Sequence, residues 1–193
     1  MECLFAKNDR QMFEKYLNNS NVFFEFGSGG STFLANSKQN IQKIYSVESD
    51  SEWHQQVRKK IEDSNKTDKI TYLYCDMNTE PNSLGHPGKD CTVQQKINYS
   101  DQINLLSSDK QKEIDLVLID GRFRIACCLK CLKLENSYII FDDFLNRKQY
   151  HCVLDYYDII DKTNDERMVI LKKKENIVYP KDLISIHEKY SPC

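Results

Sequence analysis

Asn21 to Ala35 read N-V-F-F-E-F-G-S-G-G-S-T-F-L-A, and this stretch decides the fold. Val22, Phe23, Phe24 and Phe26 form a nearly continuous run of apolar, β-favouring residues, the pattern of a strand buried on both faces. A glycine-rich turn follows at once. Gly27, Gly29 and Gly30 lack a Cβ, so the main chain can turn sharply and a ligand can approach it closely. Ser31 and Thr32 then cap or open a helix through Leu34 and Ala35, whose first N–H groups point at whatever occupies the turn. Strand, turn and helix together mark a nucleotide site without naming the nucleotide. A P-loop needs a Gly-Lys-Ser/Thr ending, and no lysine follows these glycines. The dinucleotide fingerprint G-x-G-x-x-G/A fails at Thr32, and Glu25 at the strand end would repel a pyrophosphate. That acid suits a cationic ligand.

Glu25, Gly27, Gly29 and Ser31 occupy the positions of E/D-x-G-x-G-x-S/T and so resemble motif I of the class I S-adenosylmethionine (SAM)-dependent methyltransferases. The resemblance implies cofactor contacts from Glu25, Gly27, Gly29, Ser31 and Thr32. Ile44 to Glu48 reads as a second strand that also ends in an acid. Glu48 follows Glu25 by 23 residues, close to the step of about 20 that carries a ribose-binding carboxylate in Rossmann-type units. Glu48 is therefore the expected ribose ligand. Ser49 to Asp63 has helical spacing with Trp53, Val57 and Ile61 turned inward, and Trp53 either flanks the adenine or packs helix on sheet. Ile70 to Cys75 forms a third strand. Asp76 and Met77 follow it, where the resemblance implies an acid and an apolar group that hold the adenine amino group and ring.

A chain of 193 residues suffices for one domain, here 1–193, with a full core. A net charge of −2 and a pI near 6.1 give no broad basic field, so nucleic acid is not the expected partner. No basic segment followed by an apolar one opens the chain and no stretch approaches membrane-spanning length, so the expectation is a soluble, cytoplasmic protein without a membrane partner. Eight cysteines in a chain of this length read as reduced thiols. Cys127, Cys128 and Cys131 share a helix side on which zinc is conceivable, but a fourth ligand is missing and their apolar neighbours favour core packing.

Further along, Asn8 to Leu17 has the spacing of an amphipathic helix. Residues 78–99 are polar and broken by Pro81, Gly85, Pro87 and Gly88, which predicts a lid-like loop, with His86 solvated inside it. Tyr99 to Leu106 reads as a short helix. Ile114 to Ile119 is a fourth strand leading into Asp120, and Tyr138 to Phe141 a fifth leading into Asp142 and Asp143. Tyr157 to Ile160 and Met168 to Leu171 form a terminal hairpin, and residues 177–193 a packed tail. Strands alternating with helices predict an α/β Rossmann-like three-layer αβα sandwich, whose seven-stranded sheet is mostly parallel with a C-terminal antiparallel hairpin strand.

Asp120-Gly121-Arg122-Phe123-Arg124, with F-D-D-F and Arg147, Tyr150 and Val153 downstream, is similar to a branch of class I methyltransferases that carries a D-G-R-F-R turn. The branch resembles enzymes found beside sugar and glycan assembly. It implies an O-methyltransferase that uses SAM on a carbohydrate hydroxyl, with a neighbouring glycosyltransferase module as a possible partner. In such a site Asp143 is the first candidate base, since a carboxylate beyond the fifth strand faces the acceptor in this architecture, followed by Asp120 and His151. Arg122, Arg124, Asp142, Arg147 and Tyr150 are the expected acceptor contacts. Where the resemblance leads one to expect a His-Asp pair, the chain has Asp142-Asp143, leaving open which one faces the acceptor. The same acids, Asp120, Asp142 and Asp143, also suit Mg²⁺, as in catechol-type enzymes, although a metal is not the favoured reading. A catalytically silent SAM-binding module and a nicotinamide oxidoreductase are the remaining alternatives.

Overall fold

The computed structural model describes residues 4–64, 68–165 and 167–190. Its sheet is made of β1 (Val22–Phe26), β2 (Lys43–Glu48), β3 (Ile70–Tyr74), β4 (Leu116–Ile119), β5 (Tyr138–Phe141), β6 (Tyr157–Lys162) and β7 (Val169–Lys173), in the spatial order β3-β2-β1-β4-β5-β7-β6. The first five strands are parallel, and β7 runs antiparallel to both β5 and β6. This is the Rossmann-like arrangement of methyltransferases, and the terminal hairpin supplies its one reversed strand.

Side-chain alternation explains why the strands read as solid apolar runs. Phe24 and Phe26 of β1, Val117 and Ile119 of β4, and Ile139 and Phe141 of β5 enter one core. Phe23, Leu116, Leu118 and Ile140 enter the other, on the opposite face. The second face is covered by α1 (Lys7–Leu17) and α2 (Gly30–Ser37), through Met12, Phe13, Leu17 and Ala35. Next in the chain come α3 (Ser51–Glu62), α4 (Val93–Ser100), α5 (Gln102–Leu105), α6 (Ser108–Glu113), α7 (Arg124–Lys130) and α8 (Lys181–Tyr190). Tyr99, Ile103, Ile125 to Leu129 and Ile184 bring α4, α5, α7 and α8 onto the first face. No helix among the described residues is long and apolar enough to cross a membrane.

Two expectations about elements change. The predicted loop 78–99 ends early, because Thr92 caps α4 by accepting from the Gln95 N–H at 3.2 Å while the Gln95 side chain accepts from the Thr92 N–H at 2.9 Å. The tail contains α8, which starts directly after Pro180. The stretch after Arg147 is a 3-10 helix, Lys148–Asp155.

β1 and β4 approach each other closely where they end. Gly27 has φ +96°, and a Cβ there would lie 2.9 Å from Gly121 Cα. At Gly121 a Cβ would meet the Tyr99 hydroxyl at 2.0 Å. Glycine at both positions lets the glycine turn and the Asp120 turn share one wall.

Candidate functional site

A cavity of about 620 Å³ opens along the carboxyl ends of β1, β2, β4 and β5. Such a crevice at the strand ends is where open α/β sheets bind ligands. Gly27 to Ser31 form its floor, Glu48 to Asp50 and Trp53 one side, Asp120 to Arg122 and Asp142 the other, and Leu84 and Gly85 its roof.

Glu48 is 7% exposed and lines the cavity. Its carboxylate accepts four hydrogen bonds, from the N–H groups of Ser28 (3.1 Å), Ser49 (2.7 Å) and Asp50 (2.9 Å) and from the Ser28 hydroxyl (2.8 Å). Burial raises its pKa, and the donors around it oppose that shift. Only the Ser28 hydroxyl can rotate away, so one place on the carboxylate is exchangeable for a ligand hydroxyl. Trp53 lies over the glycine turn, held by its indole N–H on the Ser28 carbonyl at 2.8 Å. Its ring is the nearest group, 3.7 Å away, to a Cβ built at Gly29, so the bare glycine leaves a slot beside the indole.

Glu25, expected at the ligand, is fully buried beneath the turn. It accepts from Ser31 Oγ and Ser46 Oγ, each at 2.6 Å, and from Thr32 Oγ1. Thr32 Oγ1 in turn accepts from the Gly29 N–H at 2.9 Å. Burial pushes Glu25 up to about 7 against the pull of these hydroxyls. Glu25 and Thr32 therefore brace the glycine turn from inside, while Gly27, Gly29 and Ser31 line the cavity. Asp76 and Met77 are corrected as well. Asp76 is exposed and accepts from the Asn78 N–H at 2.8 Å, and Met77 is wholly buried in the core, so neither is among the described lining residues.

The acids after β4 and β5 are arranged around Arg124. This buried guanidinium lies 3.0 Å from Asp120 Oδ1, 3.6 Å from Asp143 Oδ2 and 4.0 Å from Asp142 Oδ2, and it donates to the Gly121, Asp120 and Asp142 carbonyls. Arg124 is thus an internal clamp instead of an acceptor contact. Its guanidinium is already the cation these acids face, so Asp120, Asp142 and Asp143 do not fit Mg²⁺. Among the described residues no group of three or more His, Cys, Asp or Glu is placed to hold a metal. Cys127 and Cys131 are buried and donate to the Arg122 and Cys127 carbonyls.

The order of the two acids after β5 is also reversed. Asp143 adopts φ 56°, a left-handed conformation unusual for a residue with a Cβ, and this separates its direction from that of Asp142. Asp143 pairs with Arg147 at 2.9 Å and Arg167 at 3.0 Å as well as with Arg124, which leaves it poorly placed as a base. Asp142 lines the cavity instead, with Oδ1 buried and without a hydrogen-bond donor among the described residues. It is pushed up to about 7 by burial and by the charges of Asp120 and Asp143, against the pull of Arg124. Asp120 is raised too, by burial first and against the pull of Arg124, and its charge in turn opposes ionisation of Asp142. Its side chain keeps 31% exposure, against 7% for Asp142, because it opens into the cavity.

Arg122 spans wall and roof, donating to the Leu84 carbonyl from Nε at 3.1 Å and Nη2 at 2.8 Å, and lying 3.0 Å from His86 Nε2. Ser49 Oγ donates to the Gly85 carbonyl at 3.2 Å. The predicted lid loop is therefore tied across the cavity, and His86 is one of its ties. Arg147 bonds Asp143 and the hydroxyl of the fully buried Tyr150, so this pair backs the acid cluster from outside the cavity wall. His151 stacks on Phe144 with ring centroids 5.2 Å apart, and its Nε2 is buried without a partner among the described residues. It is not among the lining residues. Arg167, Leu4 and Phe5 are lining residues the sequence reading missed, because nothing local links the chain's start and the β6–β7 turn to the glycine loop.

No family model matches the chain, and no curated protein does. Solved structures do resemble it. A methyltransferase-like protein from Silicibacter pomeroyi superposes with a TM-score of 0.83 over 99% of this chain and 98% of that one, at 22% identity. A Klebsiella pneumoniae protein provisionally described as an O-methyltransferase gives 0.59 over 88% and 81%, at 13% identity. The Bacillus subtilis M1A22 tRNA methyltransferase TrmK gives 0.54 over 90% and 68%, at 14% identity. At these identities the likeness is one of fold.

Proposed function

We propose that the chain is a SAM-dependent O-methyltransferase acting on a hydroxyl of a sugar or glycan. The observation that carries the reading is the pairing, across one cavity, of the Glu48 carboxylate beside the glycine turn with the Asp120–Asp142 pair at the ends of β4 and β5. Methyltransferase-like proteins of the same fold support it, and one of those neighbours is described as an O-methyltransferase.

Gly27, Gly29, Ser31 and Glu48 would hold SAM, with the ribose diol replacing the Ser28 hydroxyl on Glu48 and Trp53 covering the turn. When bound, SAM supplies a methyl carbon whose bond to sulfur breaks, its electron pair leaving on sulfur, as the acceptor oxygen bonds to that carbon. The chain's part is to fix the approach and to take the hydroxyl proton. Asp120 receives that proton on the cavity side, while Asp142 and Arg124 behind it tune its basicity. Tying the loop to Arg122 and Ser49 keeps water from the reacting groups. Transfer of labelled methyl from SAM to a panel of sugars tests the reading. Label on a sugar oxygen is the expected result; label on no hydroxyl compound despite SAM binding, or binding of NAD in place of SAM, would overturn it.

A further inference from the structure

Leu4, Phe5 and Arg167 also line the cavity, and Arg167 is close enough to feel the charge of Asp142. Arg167 is the lining cation whose donors are least used. Among the described residues it donates one hydrogen bond, to Asp143 Oδ1 at 3.0 Å, and its Nε stands 4.0 Å from Asp9 Oδ2, beyond bonding distance. A guanidinium has five N–H donors, so most of its fork faces open space, and the side chain is 43% exposed. Arg124, by contrast, spends its donors on main-chain carbonyls and Asp120. Phe5 is half-buried and packs edge-on against Phe13, with centroids 5.4 Å apart, so its ring is an apolar part of the wall of the same cavity.

We infer that Arg167 selects the acceptor, and that the acceptor is an anionic sugar, its ring against Phe5 and its carboxylate or phosphate on the Arg167 fork. Resting on the methyl-transfer reading, the inference names the acceptor class that reading leaves open. Bidentate pairing of a guanidinium with a planar carboxylate or a phosphate fixes orientation as well as affinity. An anion held there lies on the acceptor side of Asp142, so a hydroxyl on the same ring reaches the Asp120–Asp142 pair. Charge does not oppose the arrangement. Arg124, Arg147 and Arg167 face Asp9, Asp120, Asp142 and Asp143, and burial raises the pKa values of Asp9, Asp120 and Asp142 and so favours their neutral forms.

The test compares uronic acids, sugar phosphates and their neutral parent sugars, both as methyl acceptors and as ligands of the protein loaded with S-adenosylhomocysteine. Expected is a preference for the anionic member of each pair of about tenfold or more, the range of a charge-assisted hydrogen bond. Arg167→Gln should collapse that ratio through KM, with Arg167→Lys intermediate because it keeps the charge and loses the fork. Since Arg167→Gln strips the buried Asp9 of its nearest cation, the double variant Asp9→Asn, Arg167→Gln serves where the single one does not fold. Uronic acids responding without sugar phosphates, or the reverse, identifies the anion. Equal use and binding of charged and neutral sugars, or a ratio untouched by Arg167→Gln, overturns the inference. Failure of the donor reading shows separately, as absence of heat when SAM itself is titrated.

Discussion

Asp142 and Asp143 are adjacent and chemically identical, yet one faces the cavity and the other three guanidiniums. The difference comes from the left-handed main chain at Asp143, which costs about 1–2 kcal/mol for a residue with a Cβ and is offset by its ion pairs. Asp142→Asn tests the assignment of the base. Asp142 is pushed up to about 7, and its ionisation places a second negative charge beside Asp120 and makes Asp120 the stronger base, so the wild-type rate should rise as the pH passes about 7. Asparagine does not titrate, so the rise around pH 7 should disappear; a profile unchanged by the substitution would remove the pair from the mechanism. Strand-end acids such as Glu48 and Asp120 were legible in the sequence because strand periodicity alone sets where they emerge. The choice between Asp142 and Asp143 was not, since it depends on one dihedral angle and on arginines that are distant or belong to other turns. Glu25 was legible as a position but not in its role, because Ser46, one of its donors, comes from the neighbouring strand.

The strands were readable because each alternates between two apolar cores, so nearly every position is apolar. Helix α8 was not, since its apolar positions are few and Pro180 reads equally well as a loop marker or a helix start. Beside the apolar contacts of Leu183 and Ile184, α8 has a polar anchor. Glu188 and Lys130 are buried at 5% exposure and form an ion pair; the Ser100 hydroxyl donates to Glu188 at 2.7 Å, and Asp101 lies 3.1 Å from Lys130. This joins α8 to α7 and to the end of α4, whose Tyr99 stands behind Gly121. Removing one partner of a buried pair strands the other charge. Glu188→Gln should therefore cost about 3 kcal/mol, less than a fully orphaned lysine because Asp101 remains, and lower the melting temperature by roughly 6–12 °C. A melting temperature within a degree or two of the wild type would show that the helix is held by its apolar contacts alone.

For the molecule as a whole, the sheet order brings four strand ends to one crevice, and the two halves of that crevice differ in chemistry. The β1–β2 half offers glycine main chain, a hydrogen-bonded carboxylate and an indole; the β4–β5 half offers a pair of acids beside arginines. The division suits a nucleoside-bearing donor on one side and a hydroxyl-bearing acceptor on the other, and the loop through Leu84 and Gly85 is tied over both. Its most direct test is a crystal structure with S-adenosylhomocysteine bound. The account predicts the ribose diol on Glu48, the Ser28 hydroxyl displaced, and the sulfur between Gly27 and Asp120. A ribose bound away from Glu48, or a cavity left vacant at saturating ligand, would contradict it.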